Sequence, residues 1–215
     1  MIRKPRVIRT ITRREAILGG LAGFMSIPSL AEALERTPPQ TEGPFYPDVM
    51  PVDLDADLVR VTGKAAQAMG TVAHVFGRVT DAEGRPLAGA QVEIWQCDAN
   101  GRYLASGDRR DPPPRDGNFQ GYGKLVTGAD GFYRFRTIRP VIYPGRAPHI
   151  HFKLNAPGRR ELITQLYIEG DPANLRDRPF NALSRAEQAL VTAQFLPAPE
   201  VEPGAERAEW NIVVI

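Results

Sequence analysis

A phenol and two imidazoles, those of Tyr143, His149 and His151, lie close together along a chain of 215 residues that has only three histidines. The segment 149–154 (HIHFKL) is typical of a β-strand, in which alternate side chains share one face, about 7 Å apart. The two imidazoles could therefore bind one metal ion. The alternative is a polar strand face whose histidines are solvated, because a lone His-x-His pair is a weak signal.

A second tyrosine has a similar setting. Tyr103 follows the alternating segment 92–95 (VEIW), and Asn100-Gly101 supplies a turn between them. Its phenol is expected at the mouth of the sheet. A free tyrosine titrates near pH 10, so it becomes a ligand at neutral pH only where a strongly polarising cation favours the phenolate.

Several motifs in a fixed order are more specific than any one of them. Residues 75–103, then 131–140 (GFYRFRTIRP), then Tyr143, Arg146 and the two histidines resemble the intradiol ring-cleavage dioxygenases, which include catechol 1,2- and protocatechuate 3,4-dioxygenases. The resemblance covers roughly residues 41–171, from TEGPFYP to TQLYIEGD.

The resemblance implies a non-haem Fe(III) cofactor and assigns its ligands. Tyr143 and His151 match the axial ligands, and Tyr103, His149 and a solvent hydroxide match the equatorial ones. Two phenolates favour ferric over ferrous iron and, with hydroxide, balance its charge in a buried pocket, while neutral imidazoles add none. No carboxylate beside the histidines matches the facial triad of ferrous oxygenases.

The resemblance also implies the reaction. A catechol-type ring is cleaved by O2 between its two hydroxyl-bearing carbons, giving a cis,cis-muconate-type diacid, and Tyr143 acts first as a ligand and then as a base. Arg146 would stabilise negative charge on the ring; its alternative is a solvated arginine in a turn. Gln165 would hydrogen-bond substrate or hydroxide, and its alternative is an ordinary polar strand residue.

Other aromatic and histidine side chains are given different roles. Tyr122 and Tyr133 are interpreted as strand aromatics, because each alternates with glycine and apolar neighbours. His74 follows the parity of a strand and is interpreted as structural. Only the family resemblance suggests that Phe45 and Tyr46 line the substrate pocket.

The chain departs from better-known family members between two of the candidate ligands. Only PGRAP separates Tyr143 from His149, where those members carry a longer insert. A tight Pro-Gly turn still returns the chain to the strand, but the pocket wall differs, so the substrate stays open among catechol, protocatechuate, hydroxyquinol and substituted catechols. We expect no helical dimerisation region ahead of the sheets, although an exposed sheet edge could support a homo-oligomer.

Composition and periodicity predict a mainly β protein: a two-sheet β-sandwich with long active-site loops and one short helix. The helix follows the capping box Ser184-x-x-Glu187, with helical spacing continuing to Ala193 and an end at Phe195–Pro197. Residues 198–209 are predicted to be a surface connection to a last strand. The predicted strands are 72–80, 90–96, 121–126, 131–137, 149–154, 161–168 and 210–215.

The amino terminus resembles a twin-arginine export signal. Arg13-Arg14 precedes a weakly apolar run and the small-residue site Ala31-Glu-Ala33. The predicted domains are an export signal (1–33), an extension and loop (34–70) and the catalytic domain (71–215). The alternatives are a membrane anchor, for which the run is short of about 20 residues, and a cytoplasmic amphipathic helix. We therefore expect export by the twin-arginine machinery to the periplasm or beyond, with no stable membrane span.

Charge argues against nucleic-acid binding. The chain has 27 basic and 25 acidic residues, a net charge of +2. Residues 1–33 hold six of the basic and two of the acidic residues, so removing them leaves 21 minus 23, or −2. No basic stripe with interleaved aromatics remains. The single cysteine, Cys97, cannot form an intrachain disulfide.

Two other functions compete with ring cleavage. Residues 75–95 also resemble non-catalytic sandwich modules such as transthyretin or the carboxypeptidase accessory domain, which have no need of Tyr143, Arg146 or the two histidines. A zinc hydrolase could use the histidines, but it lacks an obvious third ligand at the usual spacing.

Overall fold

A computed structural model describes residues 33–110 and 113–215. The predicted export signal lies, except for residue 33, outside the described residues and stays a prediction. Residues 33–71 contain no helix or strand beyond a single bridge between Asp57 and Arg136. Within the described ranges, no helix has the length and apolar character needed to cross a membrane.

Short strands dominate the fold, as the alternating segments predict. They are, in chain order, β1 Val72–Thr80, β2 Gln91–Trp95, β3 Tyr122–Val126, β4 Phe132–Ile138, β5 His149–Asn155, β6 Leu162–Ile168, β7 Thr192–Ala193, β8 Leu196–Pro197, β9 Glu206–Glu209 and β10 Ile212–Val213.

The strands form two mixed sheets. In the first, β1 pairs antiparallel with β4 and parallel with β9 and β10, and β8 pairs with β9. The second has the order β3-β2-β5-β6-β7. Phe135 of the first sheet meets Phe152 of the second, with ring centroids 6.5 Å apart, in one shared core. The predicted β-sandwich is confirmed.

Strand β5 is buried on both faces, and this places the two histidines inside the protein. Ile150 and Phe152 face the core between the sheets, and His149 and His151 face the opposite side. Loops cover that second face. The central position of β5 between β2 and β6 supplies its backbone hydrogen bonds on both edges.

The predicted helix is present but shorter. Helix α2, Arg185–Leu190, begins with the predicted capping box, because Ser184 and Glu187 each accept from the other's backbone N–H. It ends before Ala193, which lies in β7 instead. Two short elements were not predicted, a 3-10 helix at Pro172–Arg176 and helix α1 at Arg178–Asn181.

The interpretation of residues 198–209 as only a surface connection is wrong. Its end forms β9, which pairs parallel with the middle of β1. The strand is hidden in the sequence because Glu206, Arg207 and Glu209 are charged, and only Ala208 is fully buried. The last strand is correspondingly shorter than predicted, at Ile212–Val213.

An ion-pair network holds the loop before β9 against the first sheet. Arg136 donates to both carboxylate oxygens of Glu202, at 2.8 and 2.6 Å, and His74 Nε2 lies 3.1 Å from one of them. These hydrogen bonds from Arg136 lower the pKa of Glu202 to about 2. Because the folded pKa is depressed, the stabilisation is present above the unfolded pKa near 4.5 and disappears as the pH falls towards 2.

Glu202→Gln is therefore expected to destabilise the protein at pH 7 by about 1 kcal/mol, or roughly 2–4 °C in Tm. The difference should narrow below about pH 4.5. Thermal unfolding between pH 7 and pH 2.5 measures it. Glu200→Gln is the control, because its pair with Arg207 is exposed and should contribute little. An equal loss for Glu202→Gln at both ends of the pH range would contradict this account.

Candidate metal centre

The strand β5 brings the two histidines together, as its two-residue period predicts. His149 and His151 have side chains on one face, and their Nε2 atoms are 3.1 Å apart. Both residues are almost completely buried, at 1% and 2% exposure. Trp95 lies on β2 and pairs with His151 on β5. Its ring stacks on the His151 imidazole, with the ring centroids 4.7 Å apart and an angle of 8° between the planes.

The two tyrosines reach the histidines from separate loops. Tyr143 begins a tight turn closed by a hydrogen bond from Arg146 N to Tyr143 O, and Gly145 takes the positive φ of 81° that a type II turn requires. Tyr103 Oη lies 3.4 Å from His149 Nε2, and the two phenol rings meet edge to face at 5.4 Å. The structure thus brings all four predicted metal ligands into one buried cluster.

The donor atoms fit a metal ion. His149 Nδ1 donates to the Ala147 carbonyl at 2.7 Å, so its Nε2 carries a free lone pair. His151 Nδ1 is buried and has no hydrogen-bond partner among the residues that the structure describes, and its Nε2 faces that of His149. Two nitrogens that each lie about 2.1 Å from an ion, at roughly a right angle, would be about 3 Å apart. The observed 3.1 Å matches that separation.

Burial sets the protonation of the cluster. It raises the pKa of Tyr103 well above the ordinary value and also raises the pKa of Tyr143. Burial, with the nearby charge of Arg146, lowers the pKa of His149 to about 3, and burial lowers that of His151. The imidazoles are therefore neutral, and only a strongly polarising cation would convert the phenols to phenolates.

The remaining donors of the site are phenols and not acids. Among the residues that the structure describes, no group of three or more histidine, cysteine or carboxylate side chains could hold a metal ion. A metal bound by His149 and His151 would take its anionic ligands from Tyr103 and Tyr143. Ferric iron suits two phenolates and two imidazoles better than zinc does.

Arg146 lies beside the cluster, as predicted, and is largely buried. Its Nη1 is 3.3 Å from Tyr143 Oη, and its Nη2 donates to Gln165 Oε1 at 2.5 Å. Its Nε donates to Asp177 at 2.8 Å. These contacts differ from the alternative interpretation, in which Arg146 would be a solvated arginine in a turn.

Gln165 is completely buried on β6, opposite His151. Its amide donates to the Thr41 carbonyl at 3.0 Å and accepts from Arg146 and from Tyr167. Its role toward substrate stays a prediction. Tyr167 was not among the predicted site residues. It lies on the same face of β6 as Gln165, and its ring centroid is 5.7 Å from that of His149.

The other residues discussed above lie elsewhere. Tyr133 donates to the Trp210 carbonyl, and Tyr122 donates to Glu93, so neither phenol faces the histidines. His74 belongs to the Glu202 network on the first sheet. Phe45 stacks on Tyr103 at 4.9 Å, whereas Tyr46 donates to Glu93. Of these residues, Phe45 thus borders the candidate ligands directly.

An open cavity of about 550 Å³ adjoins the short Tyr143–His149 loop, with Arg146 but none of the four candidate ligands among its lining residues. Its volume is in the range of small-molecule sites. Ile142 and Leu175 are exposed apolar side chains on its walls. The other lining residues are Gly145, Ala147, Pro172, Ala173 and Arg176.

Comparison with known proteins agrees with this fold. The Dioxygenase_C family model, described as a dioxygenase, matches residues 41–214. The dioxygenase domain of a dioxygenase and carbohydrate-binding fusion from Streptomyces sp. SirexAA-E superposes with a TM-score of 0.63 at 32% identity, covering 83% of this chain and 97% of that domain. The protein is thus of the dioxygenase class.

Curated relatives narrow the class. The chain is 38% identical over 170 residues to the protocatechuate 3,4-dioxygenase beta chain of Burkholderia cepacia, covering 75% of this chain and 72% of the relative. It is 35% identical to the hydroxyquinol 1,2-dioxygenase of Corynebacterium glutamicum over 70% of this chain, and it spans about half of that enzyme, 52%. The chain belongs to the intradiol ring-cleavage dioxygenase family.

Proposed function

We propose that this protein binds one Fe(III) through Tyr103, Tyr143, His149 and His151 and uses O2 to cleave a catechol-type ring between its hydroxyl-bearing carbons. The product would be a cis,cis-muconate-type diacid. The observation that carries the proposal is the convergence of two phenols and two neutral imidazoles in one buried cluster beside Arg146. The names of the relatives support a catechol-type substrate.

Ferric iron, when bound, would supply the Lewis acidity that stabilises the substrate as a doubly deprotonated catecholate, the form in which the ring is electron-rich toward O2. The protein supplies the proton acceptor. Tyr143 is the better placed phenol for this role, because it is slightly more exposed than Tyr103 and the hydrogen bond from Arg146 Nη1 favours its phenolate form, which can accept a proton. Its Oη would accept a hydroxyl proton as the substrate binds.

Arg146 would act on the same side of the substrate. A buried guanidinium that is held by other residues costs little reorganisation when negative charge develops on the ring. Gln165 keeps Nη2 of that guanidinium in place through its side-chain oxygen.

The test is the visible spectrum of the purified protein with its metal content, before and after anaerobic addition of catechol. We expect about one iron per chain, a red-brown tyrosinate-to-iron band, and a shift of the band when catechol binds. Protocatechuate and hydroxyquinol follow as a panel with oxygen uptake as the readout. A protein that stays colourless after reconstitution with iron would instead favour the non-catalytic binding module.

A further inference from the structure

The carboxylate of Asp177 accepts hydrogen bonds from Arg146, a candidate catalytic residue, and from Ala147, which lies two residues before the candidate metal ligand His149. One of its oxygens, Oδ2, accepts from Arg146 Nε and from the Ala147 backbone N–H, each at 2.8 Å. The other, Oδ1, accepts from the Phe180 N–H at 2.9 Å and begins helix α1. The side chain has no solvent exposure.

Ala147 links Asp177 to the metal cluster through a second hydrogen bond. The carbonyl of the same residue accepts from His149 Nδ1 at 2.7 Å, and this leaves the Nε2 lone pair free for a metal. Ala147 is itself buried, at 1% exposure. A metal-binding histidine commonly has its tautomer and ring orientation set by the partner of its second nitrogen. Here that partner is the Ala147 carbonyl, and Asp177 holds the same residue through its N–H, in the preceding peptide group.

The contact with Arg146 fixes the guanidinium on its other side. Asp177 binds Nε, while Nη1 and Nη2 reach Tyr143 and Gln165. The pair is well buried, with side-chain exposures of 15% for Arg146 and 0% for Asp177. A buried charge needs such a partner, since an unpaired one is strongly destabilising. Asp177 therefore both neutralises and orients the arginine.

We propose that Asp177 is a positioning residue that orients Arg146 and holds Ala147, the residue whose carbonyl fixes the His149 tautomer, so that helix α1 is coupled to the metal centre. This inference rests on the proposed iron site. Asp177 itself touches neither the four ligand side chains nor the reacting atoms; it acts through Arg146 and Ala147.

Asp177→Asn tests the proposal with little change of shape. An asparagine can still begin helix α1 through its oxygen. Its NH2 group then faces the N–H donors of Arg146 and Ala147 in place of an acceptor. Asp177→Ser is a second variant, because a serine also begins helices well but has no charge. Titration of the metal-free proteins with ferric citrate, followed by the tyrosinate band, should show 10- to 100-fold weaker iron binding in both variants.

Asp171→Asn is the matched control. Asp171 begins the neighbouring 3-10 helix by accepting from the Ala173 N–H, and no hydrogen bond joins its side chain to Arg146 or Ala147 in the described residues. Its iron affinity should stay within about twofold of the wild-type protein. Equal melting temperatures in the two asparagine variants, with unequal iron affinities, would separate positioning from simple loss of stability.

A measurement on the unmutated protein serves if the Asp177 variants do not fold. Nitrogen-15 NMR of the metal-free protein should show His149 protonated at Nδ1; protonation at Nε2 would overturn the proposal. Folded Asp177 variants with wild-type iron affinity would also overturn it while leaving the proposed function intact. A wild-type protein that binds no iron would overturn both.

Discussion

Replacing Tyr143 with phenylalanine is expected to reduce kcat/KM for ring cleavage by about 100- to 10,000-fold while the protein stays folded. The change removes the proposed ligand and base, and general-base catalysis contributes effects of that size. The fold should tolerate it, because the phenol oxygen contacts only groups of the site itself, Arg146 Nη1 at 3.3 Å and the Tyr103 phenol. Oxygen uptake with a catechol panel measures the loss.

The spectrum gives a second, independent readout for Tyr143→Phe. Iron would keep one phenolate ligand, Tyr103, so the visible band should weaken and move but not vanish. The matched control is Tyr122→Phe, because this phenol donates to Glu93 and does not face the histidines. Glu93 keeps its bonds from Tyr46 and Gln91 in that variant. Wild-type turnover in Tyr143→Phe would rule out the proposed mechanism.

Replacing His151 with leucine is expected to weaken iron binding strongly and to lower ring cleavage by about 1000-fold or more, because leucine offers no donor atom and the three remaining ligands hold the Lewis acid less tightly. The same change should not destabilise the metal-free protein. His151 Nδ1 is buried and finds no hydrogen-bond partner within residues 33–110 and 113–215, so a leucine removes a polar atom that these residues leave unsatisfied. We expect its melting temperature without metal to equal or exceed that of the wild type.

Metal analysis and thermal unfolding of the metal-free proteins check both parts of this prediction. His74→Leu is the control, because this histidine lies in the Glu202 network of the first sheet. That variant should retain iron and lose some stability, the reverse of His151→Leu. A His151→Leu protein with full iron content would show that the two-histidine, two-tyrosine site is wrong.

The sequence alone determined the features that depend on short separations. The two-residue period of β5 places His149 and His151 on one face, and Pro144-Gly145 specifies the turn that returns Tyr143 to them. The capping box at Ser184 likewise marks the start of helix α2. Each is a local preference of the backbone, which side-chain type and spacing express directly.

Contacts between distant segments were decided by the tertiary structure. Tyr103 and His149 are 46 residues apart, and it was family resemblance, not spacing, that linked them. Nothing in the local pattern around Asp177 points to Arg146, 31 residues away. Strand β9 was missed for the same reason, because its charged residues follow no alternating pattern and it becomes a strand through pairing with β1 and β8. Burial and pairing that arise when the chain closes on itself set these features, and periodicity does not encode them.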